Sequence, residues 1–94
     1  MTSTELFAKA QALDALAADV EIAIDPAKSI ADSPDWECAN ATDVRGALNG
    51  WRSAAQSAAR NLRDEASRVR GEARRAEERE EQEERDARRE RQPQ

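Results

Sequence analysis

The chain lacks the residues on which most enzymatic chemistry depends. It has no His, and its one Cys, Cys38, has no second thiol with which to form an internal disulfide. Without His the sequence offers no zinc-ligand pattern and no His-based acid–base catalysis, and no His is present to activate Cys38 as a nucleophile. We therefore expect no enzyme activity, no metal site and no cofactor. We interpret Cys38 as a small apolar side chain, with a reactive thiol or an intermolecular bridge as the alternatives.

Large apolar residues and long apolar runs are also scarce. Aromatic residues make up 3% of the chain, and most of the 38% that is hydrophobic is Ala. No stretch approaches the roughly 18 apolar residues that span a bilayer, and the N-terminus has no signal-peptide pattern. A chain of 94 residues suggests one domain with a small core. We therefore expect a protein partner that adds buried area. A net charge of -5 gives no reason to expect nucleic acid.

Residues that favour helices are abundant, and the first half of the chain carries a regular apolar seam. Spacings of four and three residues alternate without a break along Leu6, Ala10, Leu13, Ala17, Val20, Ile24, Ala27 and Ala31. This predicts a helix over about residues 3–33, capped by Thr2 or Ser3. Pro26 falls inside it, so we expect a kink or a brief interruption there, with a second short helix starting at Asp25-Pro26 as the alternative.

A second helix is predicted over about residues 39–76, after a turn at 34–38 that contains Pro34. Its seam is Ala41, Val44, Leu48, Trp51, Ala55, Ala58 and Leu62, and it resumes, after one extra residue, at Ala66, Val69, Ala73 and Ala76. An extra residue of this kind locally unwinds a supercoil. Gly46 and Gly50 lie inside this helix, where glycine lowers stability, and would let another helix approach closely.

Beyond Ala76 the apolar pattern stops and a Glu/Arg-rich extension covers residues 77–94. From Arg63 to Arg91, 10 Arg nearly balance 11 acidic residues, and several acids lie four residues before an Arg, as in Glu84 and Arg88. We expect a charged C-terminal segment that is helical or frayed. The domain prediction is therefore a helical hairpin over residues 1–76 followed by this extension.

Two amphipathic helices joined by a short turn predict an all-α, antiparallel helical hairpin. A two-helix hairpin cannot cover both of its own apolar stripes, so we expect pairing into a four-helix bundle, as a dimer of this chain or with a similar hairpin. The residues expected to form the core or interface are Leu6, Leu13, Val20, Ile24, Val44, Leu48, Trp51 and Leu62. Trp36 is expected at the hairpin bend, closing the apolar end of the bundle.

The turn and its surroundings resemble the WXG (ESAT-like) family of small type VII secretion proteins. These are helical hairpins named for a Trp-x-Gly triplet in the turn. Here the triplet is Trp36-Glu37-Cys38, within "SPDWECANATDVRGALNGW", and the resemblance covers about residues 3–76. Cys38 stands where the family has Gly. Secreted members also carry Tyr-x-x-x-Asp/Glu after the second helix, and this chain has no Tyr.

The resemblance implies a non-enzymatic protein of a type VII-like secretion system. It would act by dimerisation or by binding the helical leader of a larger effector. Without the Tyr signal, either a partner chain supplies it, or the protein stays inside as a partner or chaperone. The implied location is the cytoplasm, or outside the cell by a route that needs no cleavable signal peptide. The alternative is a cytoplasmic coiled-coil adaptor or chaperone unrelated to secretion, with the Glu/Arg-rich segment as a spacer.

Overall fold

Three helices and no strand make up the part of the chain that the structure, a computed structural model, describes: residues 1–33 and 39–92. The helices are α1 (Ser3–Ile22), α2 (Asp25–Ala31) and α3 (Ala41–Arg91). α1 and α2 lie along α3 in an elongated hairpin of 86 × 16 × 14 Å. The all-helical hairpin expected from the sequence is thus what the described residues form.

The N-terminus of α1 is fixed by two polar contacts. Thr2 is the capping residue, and its hydroxyl oxygen accepts a hydrogen bond from the backbone N–H of Glu5 at 3.2 Å. The next residue, Ser3, bonds to Glu80 on α3: its backbone N–H donates at 2.9 Å and its hydroxyl at 2.5 Å. The carboxylate of Glu80 therefore satisfies one of the free N–H groups at the start of α1.

Pro26 explains why the predicted helix over residues 3–33 is divided. Proline has no N–H to donate to the carbonyl of Ile22, and its ring crowds the preceding turn. α1 accordingly ends at Ile22, and α2 begins at Asp25 with Pro26 in its first turn. The brief interruption is present at Ala23 and Ile24, whereas a kink at Pro26 stays a prediction.

α3 is a single helix of 51 residues, longer than the predicted 39–76. It spans about 76 Å at 1.5 Å per residue. Its C-terminal end reaches Arg91, so the charged segment expected to be helical or frayed is helical up to that residue, although no apolar pattern holds residues 81–91 against the hairpin. Side chains four residues apart support this end, as in the ion pair of Glu84 and Arg88 at 2.6 Å. Contact with α1 reaches Glu80, past the predicted domain boundary at residue 76.

The packed core lies between the N-terminal half of α1 and the middle of α3. It contains the buried residues Leu6, Ala10, Ala66, Val69, Ala73 and Ala76, with Phe7 and Leu13 packed against them. Val69 is its largest fully buried side chain. Four of these six buried residues are Ala, so the two helices bury little apolar area, and we expect them to lie close together.

Candidate interaction surface

The eight core or interface residues predicted from the sequence fall into three groups by burial. Leu6 and Leu48 are buried, and Val44 and Trp51 are exposed. The half-buried ones are Leu13, Val20, Ile24 and Leu62. The side chain of Trp51 is 61% exposed. Trp51 thus fills no core within this hairpin. The predicted turn residues Trp36 and Cys38 lie outside the described residues.

The face of α3 that contacts α1 and α2 differs from the predicted seam in its first half. It runs through Ala41, Arg45, Leu48, Arg52, Ala55, Ala59, Leu62, Ala66, Val69, Ala73 and Ala76. Spacings of four and three alternate along this inner face, so no extra residue interrupts it. Two residues of this inner face that the predicted seam does not include are the arginines Arg45 and Arg52. The Nε of Arg45 donates to the carbonyl of Ala31 at 2.6 Å, and the Nε of Arg52 lies 4.0 Å from Asp25.

One flank of the hairpin carries ion pairs between α1 and α3. Arg63 contacts Glu21 at 2.5 Å, and Arg70 contacts Asp14. On α1 and α2 the inner face is the predicted seam, which includes Leu13, Val20 and Ala31. Each of the four ion-paired residues directly follows an inner-face residue of its own helix. In antiparallel helices such positions lie on the same flank, and the two contacts confirm this. We call this flank the charged side.

The opposite flank carries most of the exposed large apolar residues. Leu16, Ile30, Val44 and Trp51 each directly precede an inner-face residue, which places them on the flank opposite the ion pairs. All four are exposed, with Ile30 at 65%. We call this flank the apolar side. Isolated exposed apolar residues are ordinary, but Ile30, Val44 and Trp51 all lie at the α2 end of this flank, and such a group is of the kind that marks an interaction surface. Farther along α3 the same flank carries the ion-paired residues Glu65, Arg68 and Glu72.

The first half of α3 extends the apolar side with a second regular seam. Val44, Ala47, Trp51, Ala54 and Ala58 are all exposed and are spaced by three, four, three and four residues. We call these five residues the outer seam. Gly50 lies beside it, and a Cβ placed there would meet no atom within 4 Å. Gly50 therefore weakens the helix without serving any packing contact within the described chain.

The groups with shifted pKa values belong to structural contacts. The hydroxyl and backbone N–H of Ser3 lower the pKa of the Glu80 carboxyl. A hydrogen bond from Arg68 lowers the pKa of Glu65, and the same pair raises the pKa of Arg68. These contacts, and the ion pairs of the charged side, were missed by the sequence reading. The ion pairs of the charged side have a signal in the sequence, because their acids and arginines directly follow seam positions.

Metal-binding groups and membrane-spanning helices were considered for the described residues. They contain no group of three or more His, Cys, Asp or Glu residues placed to hold a metal ion. Within the same residues, no helix is both long enough and apolar enough to cross a membrane.

Comparison with known proteins gave no relative: no family model, no curated protein and no solved structure matches the chain. The described residues form an extended helical hairpin, with ion pairs between α1 and α3 along one flank and exposed large apolar residues on the other.

Proposed function

We propose that this protein works by association: it buries the apolar side of its hairpin against helices of another protein chain and catalyses no reaction. The observation that carries the proposal is the exposure of Trp51 together with Val44 and Ile30 on that side. Trp is among the residues that contribute most to protein interfaces, and leaving such side chains in water is unfavourable. The hairpin is thus half of a packed structure, and helices of a partner complete it.

The setting that we propose is a type VII-like secretion system, in which the chain pairs with itself, with a similar hairpin, or with the helical leader of a secreted effector. A four-helix bundle is the expected assembly. The support is the elongated hairpin itself and the sequence resemblance to WXG proteins around Trp36-Glu37-Cys38. The proposed location is the cytoplasm, or outside the cell by a route without a cleavable signal peptide.

A cytoplasmic coiled-coil adaptor or chaperone unrelated to secretion is the second candidate. One observation favours it: α3 continues as a helix from Glu81 to Arg91, beyond Glu80, whose carboxylate bonds to Ser3 of α1. A charged helix of this kind suits a spacer that separates two binding partners. The genes beside the coding sequence distinguish the candidates, because a secretion ATPase or a toxin gene nearby supports the first.

The experiment is co-purification from the native host with mass identification of the bound protein. Three tagged chains are compared: the natural protein, Trp51→Glu, and Ile22→Glu as the matched control. Ile22 is 59% exposed, nearly as much as Trp51, but lies on the outer face of α1. We expect a stoichiometric helical partner, or a second copy, with the natural protein and the control, and its loss with Trp51→Glu. Equal recovery with all three chains, or no partner with any, contradicts the proposal.

A further inference from the structure

We infer that the partner on the outer seam is a second copy of this chain, with the two α3 helices packed antiparallel about a two-fold axis at Trp51. The inference rests on the proposed function, because it names the partner of the same apolar side. Its evidence is the symmetry of the outer seam and the charges that border it.

The outer seam has nearly the same spacing of residues when it is read from its C-terminal end as from its N-terminal end. Val44 lies seven residues before Trp51 and Ala58 lies seven residues after it, while Ala47 and Ala54 lie four before and three after. An antiparallel copy therefore places Val44 opposite Ala58, and the two Trp51 rings meet at the centre beside small Ala side chains. A two-fold dimer requires this kind of self-complementary surface.

Gly50 fits the same arrangement. It directly precedes Trp51, so in the antiparallel pair Gly50 of one copy lies beside Gly50 of the other at the axis. A Cβ at this position would meet nothing in its own chain. Glycine in a helix is unfavourable unless something requires the space, and the Trp51 ring of the second copy, which lies at the axis, requires it.

The charges at the two ends of the outer seam are complementary when the helix is reversed. Asp43 lies eight residues before Trp51, and Arg60 lies nine residues after it. The guanidinium of Arg60 reaches back to the hydroxyl of Ser57 at 3.0 Å. Asp43 and Ser57 both directly precede outer-seam residues, so each Asp43 faces the Ser57–Arg60 pair of the other copy. The dimer thus contains two equivalent pairs of opposite charge.

No uncompensated charge is brought to the axis. Arg52 directly follows Trp51 and lies near the centre, but Asp25 of the same hairpin lies 4.0 Å from it. Ile30 borders the outer seam on α2, because the neighbouring Ala31 contacts Arg45, next to Val44. The two copies of Ile30 therefore add to the buried apolar area.

The length of the outer seam sets the strength of the dimer. Fifteen residues of helix span about 21 Å, which gives an interface at the small end of the range for specific complexes. We expect a reversible dimer that dissociates in the micromolar range. The two C-terminal segments point in opposite directions because the two α3 helices are antiparallel. They lie far apart because the axis is near the N-terminal end of each α3.

The first experiment measures dimer dissociation by sedimentation equilibrium for four chains. Trp51→Ala weakens the dimer about 30-fold or more, as for a central interface aromatic. Gly50→Leu also weakens it, while its helix content stays equal or rises, so unfolding cannot explain the loss. Ile22→Ala is the matched control and changes the dissociation constant less than twofold. A dimer that is insensitive to both Trp51→Ala and Gly50→Leu overturns the inference.

The second experiment measures the orientation of the two copies. A spin label is placed at the exposed position 64, as Asp64→Cys in a chain carrying Cys38→Ser. Asp64 lies thirteen residues from Trp51, so the antiparallel dimer places the two labels about 40 Å apart along the helices. Parallel helices packed side by side give less than about 20 Å, and that result overturns the inference.

Failure of this inference can be told apart from failure of the proposed function. A chain that stays monomeric up to about 1 mM rules out the self-dimer. If co-purification then yields a different protein that depends on Trp51, the proposed function stands and only the identity of the partner was wrong. If no such partner is found, both proposals fail.

Discussion

The close approach of α1 and α3 can be tested by adding volume at Ala66. Ala66 is fully buried in the core, on the inner face of α3. Ala66→Leu adds three carbons. If space were available, their burial would stabilise the hairpin by about 2 kcal/mol, at about 0.8 kcal/mol per carbon. Because the side chains between the two helices are mostly Ala, we expect overpacking to force the helices apart and to destabilise the fold by about 1–3 kcal/mol.

The sign of this change is the test, and the assay is urea unfolding followed by circular dichroism at 222 nm. Protein concentration is varied, because association would add to the apparent stability. Ala8→Leu is the matched control: Ala8 is exposed on α1, and the same substitution there changes the free energy of unfolding by less than about 0.5 kcal/mol. A more stable Ala66→Leu variant would refute the close packing of the two helices.

Three further predictions concern Trp51, Glu80 and the charged side. Trp51→Ala changes the unfolding free energy of the monomer by less than about 0.5 kcal/mol, because its ring makes no core contact; a loss above about 2 kcal/mol in urea unfolding would show that the ring is buried. The lowered pKa of Glu80 means that its contribution to stability is complete above the ordinary value of 4.5 and is lost as the pH falls through the lowered value. Acid therefore reduces the melting temperature of the natural chain more than that of Glu80→Gln, and equal slopes between pH 6 and pH 3 would contradict this. Reversing Arg70 to Asp costs up to about 1 kcal/mol beside Asp14, and Asp14→Arg in the same chain restores it; no coupling in this double-mutant cycle would place the two residues apart.

The sequence predicted the inner face of α1 well because its apolar residues follow one unbroken seam, although Leu16 and Ile22 lie off that seam and are exposed. The spacing of Leu6, Ala10, Leu13 and Ala17 selects one face of a helix, and the structure buries or half-buries all four. For α1, the periodicity of the apolar residues alone was therefore sufficient to identify the buried face.

The first half of α3 could not be assigned in the same way because it carries two stripes that are one residue apart. Val44 and Trp51 have the same spacing as Arg45 and Arg52, so hydrophobicity favours the first pair as the inner one. The structure turns the arginines toward α2, where Arg45 donates to Ala31 and Arg52 lies near Asp25. Arginine can occupy such positions because its aliphatic stem packs while its charged end finds a partner.

The ends of the helices could be predicted from the local sequence to different degrees. The interruption before Asp25 was foreseeable because Pro26 cannot donate a hydrogen bond. The continuation of α3 to Arg91 was not, because charged sequence without an apolar stripe is compatible with both a helix and a frayed end. The contact of Ser3 with Glu80 joins residues far apart in the chain, and no local pattern indicates such a pairing.

The central claim is that the apolar side around Trp51 is the binding surface of this protein. The most direct measurement places a photo-crosslinking amino acid at position 51 in the native host, and at position 22 as the equally exposed control. The account predicts one dominant crosslinked species from position 51, either a second copy or a helical partner, and none from position 22. Equal crosslinking from both positions, or none from position 51, would contradict it.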